Sequence, residues 1–338
     1  MSDIARHSVS QFFLTLPLVT RVSLEVVTPK LAIAVVADHF SAIRRVVDCI
    51  RAQDICHQLE LVVAAPSREK FGLPALPELA RASVVEVESL DRLPAARAAA
   101  VRAAAAPFVF VGETHSLPRP GWAAATIAAH ERGATVVIPG ICNGNPSDGV
   151  SWACLIMDYG PWLASGARRE LDQVPGYNTS YKREALLELA AQLDELLEQQ
   201  SEIVTKLRRR GATVRFEPGA QVDHLNISRR LPWVRDSFLV GRVLATTRIR
   251  HWSMLRRIIY FGGAPLIPLV MLWRLPGVWP RRQMKPPRTT LPAFVAVSTV
   301  MAIGEMSGYA FPASRAELER MTTNELHREL YLARAKRS

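Results

Sequence analysis

Short, continuous apolar runs alternate with helix-patterned segments through the first half of the chain, and this alternation limits the fold more than any other feature. Leu31–Ala37 (LAIAVVA) and Leu59–Ala65 (LELVVAA) read as strands buried on both faces. Between them, Phe40–Ala52 places Ile43, Val46, Val47 and Ile50 at helical spacing. Strands over Val84–Val87, Phe108–Val111 and Ala134–Pro139, with helices over Leu93–Ala106 and Ala123–His130, continue the rhythm. This succession predicts an α/β fold whose mostly parallel sheet is built from right-handed crossovers. Further on, the pattern predicts a strong helix over Arg183–Gln200 that continues or restarts over Glu202–Arg210. A strand over Val214–Glu217, closed by Pro218-Gly219, comes next, then one or two helices over Arg229–Arg250. Ala313–Arg337 reads as an amphipathic charged helix with Leu318, Met321, Leu326 and Leu330 on its apolar side.

The chemistry concentrates after one strand. Phe108–Val111 ends in Gly112, and Glu113-Thr114-His115 follow at once, before the turn Pro118-Arg119-Pro120-Gly121 leads into a helix from Trp122. Parallel α/β sheets bind ligands at the carboxyl edge of their strands. A carboxylate and an imidazole two residues apart can face one side there and share a cation. A polar turn that merely caps the strand is the alternative.

Net charge separates the two ends of the chain. Residues 229–338 hold 19 Lys/Arg against 6 Asp/Glu, while the whole 338-residue chain has a net charge of +11. A surface meeting an anionic partner is therefore expected in the last third. Two apolar stretches lie inside it, Ile258–Trp273, broken by Gly262-Gly263, Pro265 and Pro268, and Leu291–Phe311 with the single charge Glu305. Arg256, Arg257, Arg274, Arg281, Arg282, Lys285 and Arg288 flank them, with Trp252, Trp273 and Trp279 interleaved. Basic residues and tryptophans at the ends of apolar stretches point to an anionic membrane surface, met from the cytoplasmic side. The first stretch is short enough to be interfacial or re-entrant, the second is near spanning length, and a buried helical hairpin in a soluble domain is the alternative. No helix-turn-helix, zinc or aromatic-strand motif accompanies the charge, so nucleic acid is not an expected partner. Cys49, Cys56, Cys142 and Cys154 form no CxxC pair or disulfide framework and fit a reducing compartment. The apolar patch Phe12–Val19 contains Thr15 and Pro17, and lacks the charged leader and cleavage site of a secretory signal.

Taken in order, these pieces resemble the family 2 glycosyltransferases, which have the GT-A fold. The resemblance covers about residues 30–245. It rests on the strand LAIAVVADHF, the strand LELVVAAPS, Leu93-Pro94-Ala95-Ala96-Arg97 opening a helix, GETHSLPRPGW in place of a DxD loop, VPGYNTSYKREALL, and Ser201–Ser228 running helix, Gly211, strand, Pro218 and His224. It implies a GT-A (Rossmann-like), mostly parallel sheet flanked by helices over 30–228. An N-terminal extension (1–29) would precede it. A basic, apolar, membrane-associated helical region (229–311) and an amphipathic C-terminal helix (312–338) would follow. It also implies a nucleotide-sugar donor, a divalent cation (Mn2+ or Mg2+), and a lipid-linked or glycan acceptor hydroxyl attacked with inversion.

Carried onto these residues, the resemblance gives His115 as a direct metal ligand, Glu113 as a ribose or water-mediated contact and His224 as a third ligand. Asp38 and Arg97 would contact the nucleotide and its phosphates, and Asn178 and Tyr181 would lie near a sugar. The family's base is a carboxylate in an "ED" pair; Gln199 and Gln200 stand there, so Glu202 takes that role, with Glu198 as the alternate. Other departures are the second strand, which ends Ala64-Ala65-Pro66-Ser67 without aspartates, and Ala98 where the family has asparagine. These losses leave open a catalytically inactive member that binds a sugar nucleotide or a partner as a scaffold. A nucleotidyltransferase would share the layout, but the GYN segment and the late histidine argue against it.

Overall fold

In the computed structural model, β1 (Leu31–Val36), α1 (Phe40–Arg51), β2 (Leu59–Ala65), α2 (Arg68–Phe71), β3 (Arg81–Glu86), α3 (Leu93–Ala103) and β4 (Phe108–Val111) form the expected alternating half. Residues 28–197, 200–249, 252–280 and 284–333 are described, so Glu198 and nearly all of the N-terminal extension lie outside them. β5 (Ser116–Pro118), α4 (Trp122–Glu131), β6 (Val136–Asn143), α5 (Gly149–Tyr159), β7 (Arg169–Glu170) and β8 (Thr179–Lys182) follow. Next come α6 (Arg183–Leu187), α7 (Leu193–Leu196), α8 (Gln200–Arg209) and β9 (Val214–His224). The C-terminal part is helical: α9 (Arg230–Ile249), α10 (Met254–Gly263), α11 (Ile267–Val278), α12 (Thr290–Ala310) and α13 (Arg315–Leu326).

One sheet runs β3-β2-β1-β4-β8-β6-β9-β5, with β7 added on β9. The pairs β1–β2, β1–β4, β2–β3 and β6–β9 are parallel; β8 is antiparallel to both β4 and β6, and β5 and β7 are antiparallel to β9. Every residue of β1 and β2 is buried, as strands covered by helices on both faces must be. Ala34 pairs with Val111, so the segments leaving β1 and β4 emerge side by side at the carboxyl edge. The α/β sheet flanked by helices, with apolar helices beyond it, is as expected, but the sheet is mixed rather than mostly parallel, because the short strands β5, β7 and β8 all enter it antiparallel.

Three segments depart from the sequence reading. The helix expected over Arg183–Gln200 is broken, because Ala190 adopts a left-handed φ of 50° that no α-helix continues through. The strand expected to stop at Pro218-Gly219 runs on to His224. Its register against β6 slips between Pro139 and Gly140, from Glu217 to Gln221, so proline sits in a bulge where its missing N–H costs no ladder bond. The C-terminal helix ends at Leu326, not near Arg337, and Arg328–Tyr331 is a short 3-10 turn. Leu326 is buried there, while Leu318 and Leu330 are exposed.

α9 and α12 cross at backbone contact. A Cβ built on Gly241 would lie 2.1 Å from the Met301 carbonyl oxygen, and one on Gly304 2.1 Å from that of Phe238. The start of α12 rests on α5, where a Cβ on Gly149 would meet Thr289 at 2.5 Å. α10 and α11 differ: Leu255, Ile259, Leu269 and Trp273 are all more than half exposed. Met254–Val278, 25 residues at mean hydropathy 1.6, and Thr290–Ala310, 21 residues at 1.4, are long and apolar enough to cross a membrane. The first is continuous through Gly262-Gly263 and Pro265, where the sequence suggested a break.

Candidate active site and metal cluster

Strand pairing assembles the site. β4 ends at Val111, whose carbonyl accepts from the Asn178 N–H at 2.9 Å and so brings the start of β8 against Glu113. Ser116 pairs with His224, and the Leu225 N–H donates to the His115 carbonyl at 3.0 Å, which sets His224 beside His115. Residues distant in sequence, Glu113, His115, Asn178 and His224, therefore share one buried pocket at the carboxyl edge.

Glu113 is the hub. Its Oε2 accepts from Ser116 Oγ at 2.8 Å, Asn178 Nδ2 at 2.6 Å and the Tyr159 hydroxyl at 3.2 Å. The same oxygen lies 3.4 Å from His224 Nε2 and 3.7 Å from His115 Nε2. The carboxylate, His115 and His224 each offer a ligand atom within 4.8 Å of the others. Burial pushes the Glu113 carboxyl up, but His115, His224 and Ser116 outweigh it and hold the group well below the usual range. Burial, followed by the Arg328 guanidinium, depresses His115 well below an ordinary imidazole and keeps it neutral.

The tautomers follow from the neighbours. Asn226 Nδ2 donates to Asn143 Oδ1 and to the His224 carbonyl, so Asn226 Oδ1 is the atom facing His224 Nδ1 at 2.8 Å. His224 Nδ1 therefore carries a proton, and its Nε2 is the ring atom turned toward Glu113. Thr114 Oγ1 donates to the Glu325 and Leu326 carbonyls and stands 3.4 Å from His115 Nδ1, free to accept from it. His115 Nε2 is buried with no hydrogen-bond partner. One carboxylate oxygen and two imidazole nitrogens thus converge in a buried place, a donor set that suits a cation.

Among the other expected site residues, Arg97 is buried, its guanidinium 3.8 Å over the Tyr177 ring and 2.9 Å from Glu325 Oε1. Its Nε and Nη1 have no partner. Burial of Glu325, then the Glu113 charge, raises that carboxyl to about 7 despite Arg97. Asp38 is partly exposed, against His39 and His327. Tyr181 is fully buried in the core rather than at the cluster, and Tyr159 supplies the phenol beside Glu113 instead. Glu113, expected in the metal set with His115 and His224 and as a ribose or water-mediated contact, sits at the centre of that cluster with Oε2 already hydrogen-bonded. Glu202 is exposed on α8.

Sequence reading missed Tyr159, Ser116, Asn226 and the whole segment Asn324–Ala333. That segment crosses the site: the Glu325 and Leu326 carbonyls cap Thr114, Glu325 takes Arg97, and the Ser228 and Arg229 N–H groups donate to the Tyr331 carbonyl at 3.1 Å each. Asp158 was missed too. It is accessible to solvent, yet enough protein surrounds its carboxyl to raise it, with His224 and Arg328 pulling the other way.

No protein-family model matches the chain, and no curated protein matches it in sequence. Solved structures are similar. GalNAc-T7 with UDP, GalNAc and Mn2+ shares 16% identity at TM-score 0.45, over 59% of this chain and 44% of its own, so this chain spans less than half that protein's length. The mannosyltransferase PcManGT from Pyrobaculum calidifontis, in complex with GDP-Man and Mn2+, shares 16% at 0.47, over 89% of this chain and 81% of its own. TarS 1-349 of S. aureus in complex with UDP shares 15% at 0.44, over 82% and 90%.

Proposed function

We propose that the protein is a GT-A-type glycosyltransferase of the family 2 kind. It moves a sugar, with inversion, from a nucleotide-sugar donor to a hydroxyl of a lipid-linked or polysaccharide acceptor at the cytoplasmic face of the cell membrane. One observation carries this reading: the buried Glu113–His115–His224 set at the carboxyl edge, with the unsatisfied guanidinium of Arg97 in the same buried region. A divalent ion held by these three residues would neutralise charge on the diphosphate leaving group. Two imidazoles and a carboxylate suit Mn2+ better than Mg2+, which prefers oxygen ligands.

The chain's own groups do the positioning. Ser116, Asn178 and Tyr159 fix the Glu113 carboxylate, so it cannot swing toward either histidine. Asn226 holds His224 in the Nδ1–H tautomer. Arg97 pairs with the donor's phosphates and Asp38 with its nucleoside. Glu202 is the base that takes the acceptor proton, and its exposure on α8 leaves it open to an acceptor. Asp158 is the second carboxylate to test. The exposed apolar residues of Met254–Val278 and their flanking arginines support seating on an anionic membrane.

Calorimetric titration of detergent-solubilised protein with UDP, GDP and their sugars, with and without Mn2+, tests the reading. Metal-dependent binding of one nucleotide, lost in His115→Ala, is expected. No nucleotide binding under any metal condition would replace it with a degenerate, non-catalytic domain.

A further inference from the structure

Asp38, set against the nucleoside in the proposed reaction, also forms a second cluster with His39 and His327, two residues to which that reaction gives no role. His39 Nδ1 lies 2.5 Å from Asp38 Oδ1 and His327 Nε2 lies 3.0 Å from Asp38 Oδ2. The two rings are 5.2 Å apart, and the three ligand atoms all fall within 4.8 Å of one another. The residues come from opposite ends of the chain. Asp38 and His39 follow β1, with His39 in extended backbone at the start of α1, and His327 ends α13. The neighbouring Leu326 carbonyl is pinned by Thr114 Oγ1, so His327 is placed before any ion arrives.

We propose that Asp38, His39 and His327 bind a divalent transition-metal ion, for which Zn2+ is the best fit, and that this ion latches Asn324–Ala333 across the carboxyl edge of the sheet. Zn2+ takes imidazole nitrogen and carboxylate oxygen at about 2.0–2.2 Å and keeps a fourth position for water where the protein supplies three ligands. The side chains of His39, Asp38 and His327 are 44%, 38% and 20% exposed, which leaves that fourth position and an entry path open. His327 Nδ1 lies 3.6 Å from Glu329 Oε1, beyond hydrogen-bond reach, and this nearby negative charge favours a bound cation. Mg2+ and Ca2+ do not favour this nitrogen-rich set.

The site does not rest on the glycosyltransferase reading, but it acts on the same edge. The segment that carries His327 also places Glu325 on Arg97 and two carbonyls on Thr114. An ion that binds only when His327 is docked stabilises the docked segment by mass action. By linkage, whatever must lift the segment to reach Arg97 binds more weakly when the ion is present, and the ion more weakly in its presence.

The test uses tag-free full-length protein stripped with chelator, Zn2+ calorimetry, and Co2+ as a visible-absorption probe. Wild type is expected to bind an ion that His115→Ala and His224→Ala retain, that His327→Ala loses and that His39→Gln weakens at least tenfold. Glu329→Gln, which removes no ligand, should retain the ion. Hydrogen exchange over residues 324–333 should slow with Zn2+ in wild type and not in His327→Ala. Equal Zn2+ affinity and stoichiometry in wild type, His327→Ala and His39→Gln would overturn the proposal. If the only ion bound is the one His115→Ala abolishes, the latch is wrong while the Glu113 cluster stands. If His115→Ala binds an ion that His327→Ala does not, the latch stands whatever becomes of the Glu113 cluster.

Discussion

Asn178 gives the sharpest test of the Glu113 hub. It is fully buried at φ 59°, and its amide nitrogen reaches Glu113 Oε2 at 2.6 Å and the Tyr159 hydroxyl at 2.9 Å. Asn178→Gly keeps the left-handed backbone and removes the amide. That loses a hydrogen bond to a buried charge, worth about 1.5–3 kcal/mol, and a neutral one of about 1 kcal/mol. A net loss of about 3 kcal/mol is expected. Asn178→Ala adds about 1 kcal/mol more, because its Cβ must enter the left-handed region. Asn178→Asp sets a second carboxylate where the amide met the first, and two carboxylates this close cannot both stay ionised. It should be the least stable of the three at pH 8 and should recover ground as the pH falls and one proton is shared. Urea unfolding of the three variants at pH 8 and pH 5 measures the order. If Asn178→Asp matched wild type at pH 8, the claim that Glu113 is ionised in the folded protein would be refuted. If Ala and Gly were equal, the claim about the backbone would fall.

Three further outcomes are expected. Gly241→Ala and Gly304→Ala each put a methyl group 2.1 Å from a carbonyl oxygen across the α9–α12 contact, which must open by about 1 Å; a loss of about 1–3 kcal/mol or more should appear in thermal unfolding, and less than additively in the double variant. Glutamate at Leu255, Ile259, Leu269 and Trp273 together should abolish co-flotation with anionic vesicles, and undiminished flotation would rule out membrane seating through α10–α11. Burial pushes the Asp236 carboxyl from 3.8 to about 6, so between those values the folded protein holds a proton the unfolded chain has released, and its stability falls as the pH rises through that window. Asp236→Asn keeps an acceptor for Asn324 and should melt higher than wild type at pH 7.5; the advantage should vanish near pH 4, and a pH-independent difference would contradict the assignment.

The parallel half of the sheet was legible because buried strands leave unbroken apolar runs. β2 and β4 fall on the residues the runs marked, and β1 stops one residue short of its run. Glu113 and His115 were legible as chemistry through their place after β4, and His224 through the resemblance, as its late histidine. The hydrogen bonds that organise them were not, because Tyr159 closes an otherwise apolar helix and Asn226 follows a strand with no local signal. The bulge at Pro218 read as a terminator, since proline ends strands far more often than it sits inside them. The C-terminal segment was the largest miss. The amphipathic spacing of Leu318, Met321, Leu326 and Leu330 describes a helix, whereas the contacts that stop it at Leu326 span more than 200 residues of sequence. No window along the chain contains both partners of such a contact.

The Arg97–Glu325 pair gives this edge the logic of an ion exchanger. An anion that reaches Arg97 does not fill an empty positive site. It replaces a carboxylate the chain already supplies, and the displaced group is returned to solvent with its own charge. Much of the Coulombic gain from the new contact is then offset by the contact given up, so affinity there should depend less on salt than a lone buried arginine would suggest. Discrimination shifts from charge to shape: the successful anion is the one that also satisfies Nε and Nη1, the two guanidinium nitrogens Glu325 leaves unpaired.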